Sequence, residues 1–185
     1  MSSIANVTAA APKAGGALYR APAGTALPTD ATTALPNTFK CLGYITEDGM
    51  KNNMSKTVNE EKAWGGDTVN ILETGYSDTF GTKLMEVLDV EVLKTVFGDD
   101  NVTGTLTGTG GIHVKANAKE KEDAVYVADM ILRGGVLKRI VIGVGRITSV
   151  AEIVYSSTAS TGYDITITAQ ADDTGDSHHE YIAQP

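Results

Sequence analysis

The stretch 124-AVYVADMILRGGVLKRIVIGVGRIT-148 decides the fold class. Two β-rich runs, 124–132 and 136–148, meet at Gly134-Gly135, and glycine reaches the positive-φ geometry of tight hairpin turns without steric cost. Outward from this hairpin, 163–171 alternates strictly. Tyr163, Ile165, Ile167, Ala169 and Ala171 point one way and Asp164, Thr166, Thr168 and Gln170 the other, the pattern of a strand with one face on a core and one in water. On the other side, 102–107 and 112–118 read as strands about a Gly-rich turn, followed by a charged turn at 119–123. Many short strands at close spacing predict a mainly β fold, a sandwich or a partial barrel.

One segment has a helical period. Asp89 is placed to cap an N-terminus, Val92, Leu93, Val96 and Phe97 form an apolar stripe, and Gly98 stands where a C-terminal glycine belongs. The spacing predicts a helix over about 89–97, packed on the sheet. Between 39 and 87 the chain reads as a strand at 39–46, a polar stretch at about 50–66 that is either a second strand with a long loop or wholly a long loop, anchored by Trp64, and strands at 68–74 and 79–87 across the turn 75–78. Residues 1–38 carry Pro12, Pro22, Pro28 and Pro36, which stop any long helix. They read as an extended arm in which 17-ALYR-20, between Gly15-Gly16 and Pro22, is a short strand able to join a sheet edge. The expected organisation is an arm at 1–38, a β domain at 39–172 and an acidic tail at 173–185.

The chain has 185 residues, 42% hydrophobic and 21% charged, enough for one domain with its own core. Cys41 is the only cysteine, which excludes an internal disulfide and a multi-cysteine zinc site. No apolar run is long enough for a membrane helix, and 1-MSSIANVTAAAPKAGG-16 lacks the pattern of a secretory signal. A formal net charge of −8 opposes tight phosphate binding. After Arg146 no Lys or Arg follows, while Glu152, Asp164, Asp172, Asp173, Asp176 and Glu180 accumulate, so an acidic C-terminal region could complement the weakly basic arm of another subunit.

Catalytic and cofactor motifs fail on spacing. Neither 104-GTLTGTGG-111 nor 143-GVGRIT-148 completes a dinucleotide fingerprint, and no P-loop Lys-Ser/Thr pair follows. The adjacent carboxylates Glu60-Glu61 and Asp172-Asp173 would face opposite sides of a strand. His178 and His179 lie in a terminal segment expected to fray, His113 lies in a strand next to Lys115 and reads as structural, and Cys41 has no histidine nearby in sequence. No catalytic residue, metal site or cofactor is expected.

The order of three segments, 16-GALYRAPAGTALPTDATTALPNTFKCLGYITEDG-49, 91-EVLKTVFGDDNV-102 and 124-AVYVADMILRGGVLKRIVIGVGRITSVAEIVYSSTASTGYDITITAQAD-172, resembles the major tail tube proteins of long, flexible-tailed bacteriophages of the siphovirus type. Gly143-Val144 departs from it, since a proline-containing turn is expected there. The resemblance implies a β-sandwich-like subunit with one packed helix, six copies of which close into a ring whose inner strands form a continuous barrel. Rings would stack into a tube that holds the tape-measure protein during assembly, meets tail-terminator and tail-tip proteins at its ends, and later passes DNA to the host. It implies a structural, non-enzymatic protein of the virion tail, made in the host bacterial cytoplasm, without a membrane partner. Tyr19, Arg20 and Trp64 are then the candidates for contacts between subunits or rings. The lumen candidates are Thr68, Asn70 and Thr74, or Asp164, Thr166, Thr168 and Gln170. The competing class is a β-sandwich binding module, such as a receptor-binding, adhesin-like or capsid-decorating phage protein.

Overall fold

In chain order, the computed structural model, which describes residues 2–13 and 16–185, contains β1 (Ala10–Pro12), β2 (Leu18–Pro22), β3 (Lys40–Cys41), β4 (Ile45–Lys62), β5 (Thr68–Leu84), α1 (Val90–Phe97), β6 (Val102–Thr103), β7 (His113–Val114), β8 (Ala124–Leu132), β9 (Leu137–Val150), β10 (Tyr163–Gln170) and β11 (His179–Ala183). Nine strands form one antiparallel sheet in the order β3-β2-β8-β9-β10-β5-β4, with β1 extending the β2 side of β8 and β11 the β10 side of β9. β6 and β7 pair separately. The mainly β expectation with one packed helix holds. The layers come from one open sheet that curls over its own core: Leu18 of β2, Tyr126 of β8, Ile142 of β9, Ile165 of β10 and Phe80 of β5 share a single apolar cluster.

Helix α1 seals that cluster with Val92, Leu93 and Val96. Asp89 caps it as the sequence predicts, accepting hydrogen bonds from the backbone N–H of Glu91 (2.8 Å) and Val92 (3.1 Å). Gly98 ends it at φ 102°, a conformation costly for any residue with a Cβ.

The β8–β9 hairpin turns through Gly134 and Gly135, both at positive φ. Its apolar run is continuous because both faces are covered. Tyr126 and Ile142 face the main core, while Val125, Val127 and Val141 face a second cluster with Ala21 and Phe39, closed by Leu27 and Leu35. The arm is thus part of the body. Arg139, 1% exposed, fastens it by donating to both Asp129 oxygens (2.6 and 2.8 Å) and to the carbonyls of Asp30 and Thr33 (2.9 Å each). Every guanidinium nitrogen is satisfied, the condition on which a buried ion pair is tolerated. The strand expected at 17–20 is β2, paired with both β8 and β3; its flanking Gly15 lies outside the described residues.

Four expectations are corrected. Residues 50–62 take the strand alternative, so the long loop shrinks to a turn at 63–67, and 68–84 is one strand without a turn at 75–78; β4 and β5 thus form a single long ribbon. Half-buried alternation fails as a guide here because both faces of 68–77 are exposed. Only 102–103 and 113–114 pair, since the chain between them is turned by Gly104, Gly110 and Gly111 at positive φ. The terminal residues 179–183 do not fray: they pair with 137–141 of β9, with Lys138 Nζ 2.9 Å from Glu180. Gly143 and Gly145 lie inside β9, as the run 136–148 predicts. A Cβ on Gly145 would stand 2.8 Å from the Tyr126 ring, so glycine lets β8 and β9 close there.

Candidate functional site

The lower part of the sheet is a four-stranded section, β9-β10-β5-β4. Tyr163, Ile165 and Ile167 of β10 lie opposite Leu84, Thr82 and Phe80 of β5 on the core side. Alternation turns Asp164, Thr166, Thr168 and Gln170 outward; the first three lie opposite Lys83, Gly81 and Thr79, Gln170 lies opposite Val144 of β9, and Gly81 and Thr79 in turn face Lys51 and Asn53 of β4. This outer face is dominated by short hydroxyl groups: Thr148 and Thr168 share a 2.8 Å hydrogen bond, and Thr79 donates to the Asn53 carbonyl. Lys51, Lys83 and Asp164 supply mixed charge, so it is not the uniformly acidic surface that the net charge suggests. Gln170 donates to Asp123 (2.8 Å), which Arg146 also binds through two nitrogens (2.8 and 3.0 Å). The Arg146 hydrogen bonds hold the Asp123 carboxyl below the usual carboxylate range.

Both borders of this section are open among the described residues. The outer edge of β4 has no neighbouring strand, and β9 beyond Gly145 pairs with β10 alone, since its register with β8 stops at Gly145. Unpaired edges of this length are templates for another chain.

The far half of the β4–β5 ribbon leaves the body at Asp78. Met54 lies opposite Asp78, Lys56 opposite Tyr76, Val58 opposite Glu73 and Glu60 opposite Ile71, so Met54, Val58, Ile71 and Tyr76 line one face, all exposed. Lys56 and Glu73 form an ion pair across it (2.8 Å). Trp64 is wholly exposed at the tip. The trio Thr68, Asn70 and Thr74 does not make one surface. Thr68 faces Lys62 and Asn70 faces Glu61, neighbours pointing to opposite sides, while Thr74 falls at the register shift beside Thr57.

Sequence reasoning missed the base of the ribbon. Asp78 is wholly buried and accepts hydrogen bonds from Asn52 Nδ2 (2.6 Å) and Ser177 Oγ (2.6 Å), with His178 Nδ1 at 2.5 Å and its ring edge-on to Phe80. The C-terminal segment therefore clamps the ribbon where it leaves the body. The only signal was an aspartate within a strand-like run, which the tight-turn reading of 75–78 absorbed.

Tyr19 and Arg20 are engaged within their own chain. The half-buried Tyr19 ring packs beside the second cluster, and Arg20 binds both Asp99 oxygens (2.7 and 3.2 Å), tying the arm to the end of α1. Burial opposes the Arg20 charge, and Asp99 and Tyr126 together more than offset it. His113 is exposed opposite Thr103, and Cys41 lies in β3 opposite Tyr19. Asp172, Asp176 and His179 gather their ligand atoms within 4.8 Å. The Asp172 carboxylate is already taken up by Thr174 Oγ1 (2.7 Å), the Thr174 and Asp176 N–H groups and His179 Nε2 (2.8 Å).

The surfaces so described are edges, a hydroxyl-rich face and a projecting ribbon, the equipment of assembly. The family model described as phage tail tube protein matches residues 5–185, essentially the whole chain, and the chain belongs to that family. No curated protein matches it. Membership assigns the chain a structural role in a homo-oligomeric tail of the virion, and no helix among the described residues is long and apolar enough to cross a membrane.

Proposed function

We propose that six copies of this tail tube protein close head to tail into a ring and that rings stack into the conduit for genome delivery. The observation that carries this reading is the four-stranded section with an open edge on each side. The β4 edge of one subunit pairs with the free 146–150 edge of β9 in the next, a heterologous contact that continues one sheet around an axis. Sixfold closure gives a barrel whose lining is the face bearing Asp164, Thr166, Thr168 and Gln170. Hydroxyls and mixed charge there hold no continuous basic track, so DNA passes without the cooperative phosphate contacts that would trap it.

The ribbon then crosses to a neighbouring ring, with Trp64 as its anchor, while Tyr19 and Arg20 act within the subunit by fixing the arm. The lumen accommodates the tape-measure protein, and tail-terminator and tail-tip proteins cap the two ends. The subunit is made in the bacterial cytoplasm before assembly and performs no chemical step.

Electron microscopy of the purified, untagged protein over a concentration series tests this. Hollow tubes with sixfold cross-sections are expected above a threshold concentration. A monomer or closed trimer that persists even with tail-tip proteins added would overturn it and support the binding-module alternative.

A further inference from the structure

Two features of the subunit have no partner among the described residues and fit each other. The first is an apolar groove of about 380 Å³ between β1 and the start of β4, strands that belong to distant parts of the sheet and that its curl brings together. Pro12, Leu18, Met50, Ala128 and Met130 line it. It is opened by a slip in the β4–β5 register between Ile45 and Met50, where Gly49 takes φ 69° and its carbonyl accepts from Thr82 Oγ1 (3.0 Å). Glu47 and Asp48 also line it, exposed and in no ion pair with a cation among the described residues.

The second is Trp64. The tip turn is closed by hydrogen bonds from Ala63 N–H to the Asp67 carbonyl (2.8 Å) and from Gly66 N–H to the Ala63 carbonyl (2.9 Å), with Gly65 and Gly66 at positive φ. That turn holds the indole clear of the ribbon. Lys62, two residues earlier, reaches only Glu60 among the described residues, at 4.0 Å.

We infer that the groove between β1 and β4 receives Trp64 of a second copy of this chain, with Lys62 of that copy meeting Glu47 and Asp48. The inference rests on the tube reading, in which the ribbon reaches another subunit, and it names the receiving surface. Trp64 does not reach its own groove: Lys62 is twelve residues beyond Met50 on the same strand, about 40 Å at ~3.3 Å per residue. The occupant is therefore a copy displaced by roughly that distance. Chemistry favours an aromatic guest, because the Met50 and Met130 thioethers make attractive contacts with an aromatic ring and Pro12 adds a flat apolar wall. Opposite charges at the mouth fix the direction of entry.

Trp64 is the only tryptophan and Cys41 the only cysteine, which makes the test direct. Tryptophan emission and acrylamide quenching are recorded on the full chain below and above the assembly threshold, with the same samples viewed by electron microscopy. A Cys41→Ser chain carrying Ala63→Cys and Ala11→Cys, both exposed positions, is treated with a short bismaleimide. Tubes with blue-shifted emission, several-fold weaker quenching and cross-linked ladders absent from the free subunit are expected. Lys62→Glu should weaken assembly and Asp48→Lys in the same chain should restore it. Tubes in which Trp64 stays as quenchable as in the free subunit and no ladder forms would overturn the groove assignment while leaving the tube reading intact. Absence of any ordered polymer from the unmodified chain would instead overturn the tube reading.

Discussion

The β8–β9 hairpin and the far half of the β4–β5 ribbon are both antiparallel pairs, yet one has both faces buried and the other has neither. Val127 and Val141 are wholly shielded by the arm, and Tyr126 and Ile142 by the main core. Residues 68–77 are exposed throughout, held by ladder hydrogen bonds and by cross-strand contacts such as Lys56–Glu73 and Asn70–Glu61. An isolated two-stranded ribbon is at best marginally stable in water. The difference teaches a division of labour. The hairpin makes the subunit, whereas the ribbon has no burial of its own and in the proposed tube gains it from other copies, and the Asp78 clamp is the joint between them.

The comparison can be broken at either region, and the largest effect belongs to the buried one. Arg139→Ala leaves the buried Asp129 carboxylate with the half-exposed Lys13, 3.7 Å away, as its cation and strips it of two hydrogen bonds while freeing the arm carbonyls, so unfolding in urea should show a loss of about 3 kcal/mol. At the joint, Asp78→Ala strands Asn52, Ser177 and His178; the cost should be about 1.5–3 kcal/mol, with faster hydrogen exchange in 177–183. Asp89→Ala, which removes the helix cap, should cost about 1 kcal/mol by the same measurement. On the bare region, Ile71→Ser should change subunit stability by no more than about 0.5 kcal/mol while raising the concentration needed for tubes.

Acid sharpens the same contrast. Asp123 is held low by Arg146, Asp30 by the Thr33 and Thr32 groups, and Asp172 by Thr174 and His179. In the unfolded chain a carboxylate titrates near 3.9, so on acidification the unfolded state takes up protons first. The stability these groups supply is whole above about pH 5 and is lost as pH falls through their lower folded values. Urea midpoints between pH 7 and 3 should show that fall, and Asp123→Asn should flatten part of it.

The sequence was legible where burial follows a simple period. Strict alternation in 163–170 identified both faces of β10 and hence the outward row Asp164, Thr166, Thr168 and Gln170. Asp89, Val92, Val96 and Gly98 identified α1, and Gly134-Gly135 identified the central hairpin. It was illegible where strands are stabilised without burial. The run 50-MKNNMSKTVNEEK-62 carries no apolar period because beyond Met50, which packs on the core, both faces are exposed, so the ribbon resembled a loop. The contacts of Asp78 with Ser177 and His178 and of Arg139 with the arm join residues about a hundred positions apart, which no local spacing encodes. Trp64 was singled out as an anchor, but the groove proposed to receive it, assembled from β1, β4 and β8, exists only after the sheet curls.

The most direct test of the central claim, that the ribbon is ordered by its neighbours while the hairpin is ordered by its own subunit, is hydrogen exchange of the free subunit against the assembled polymer. The account predicts that amides in 54–76 exchange fast in the subunit and become strongly protected in the polymer, while those in 125–128 and 139–142 are protected in both. Equal exchange of 54–76 in the two states would contradict it.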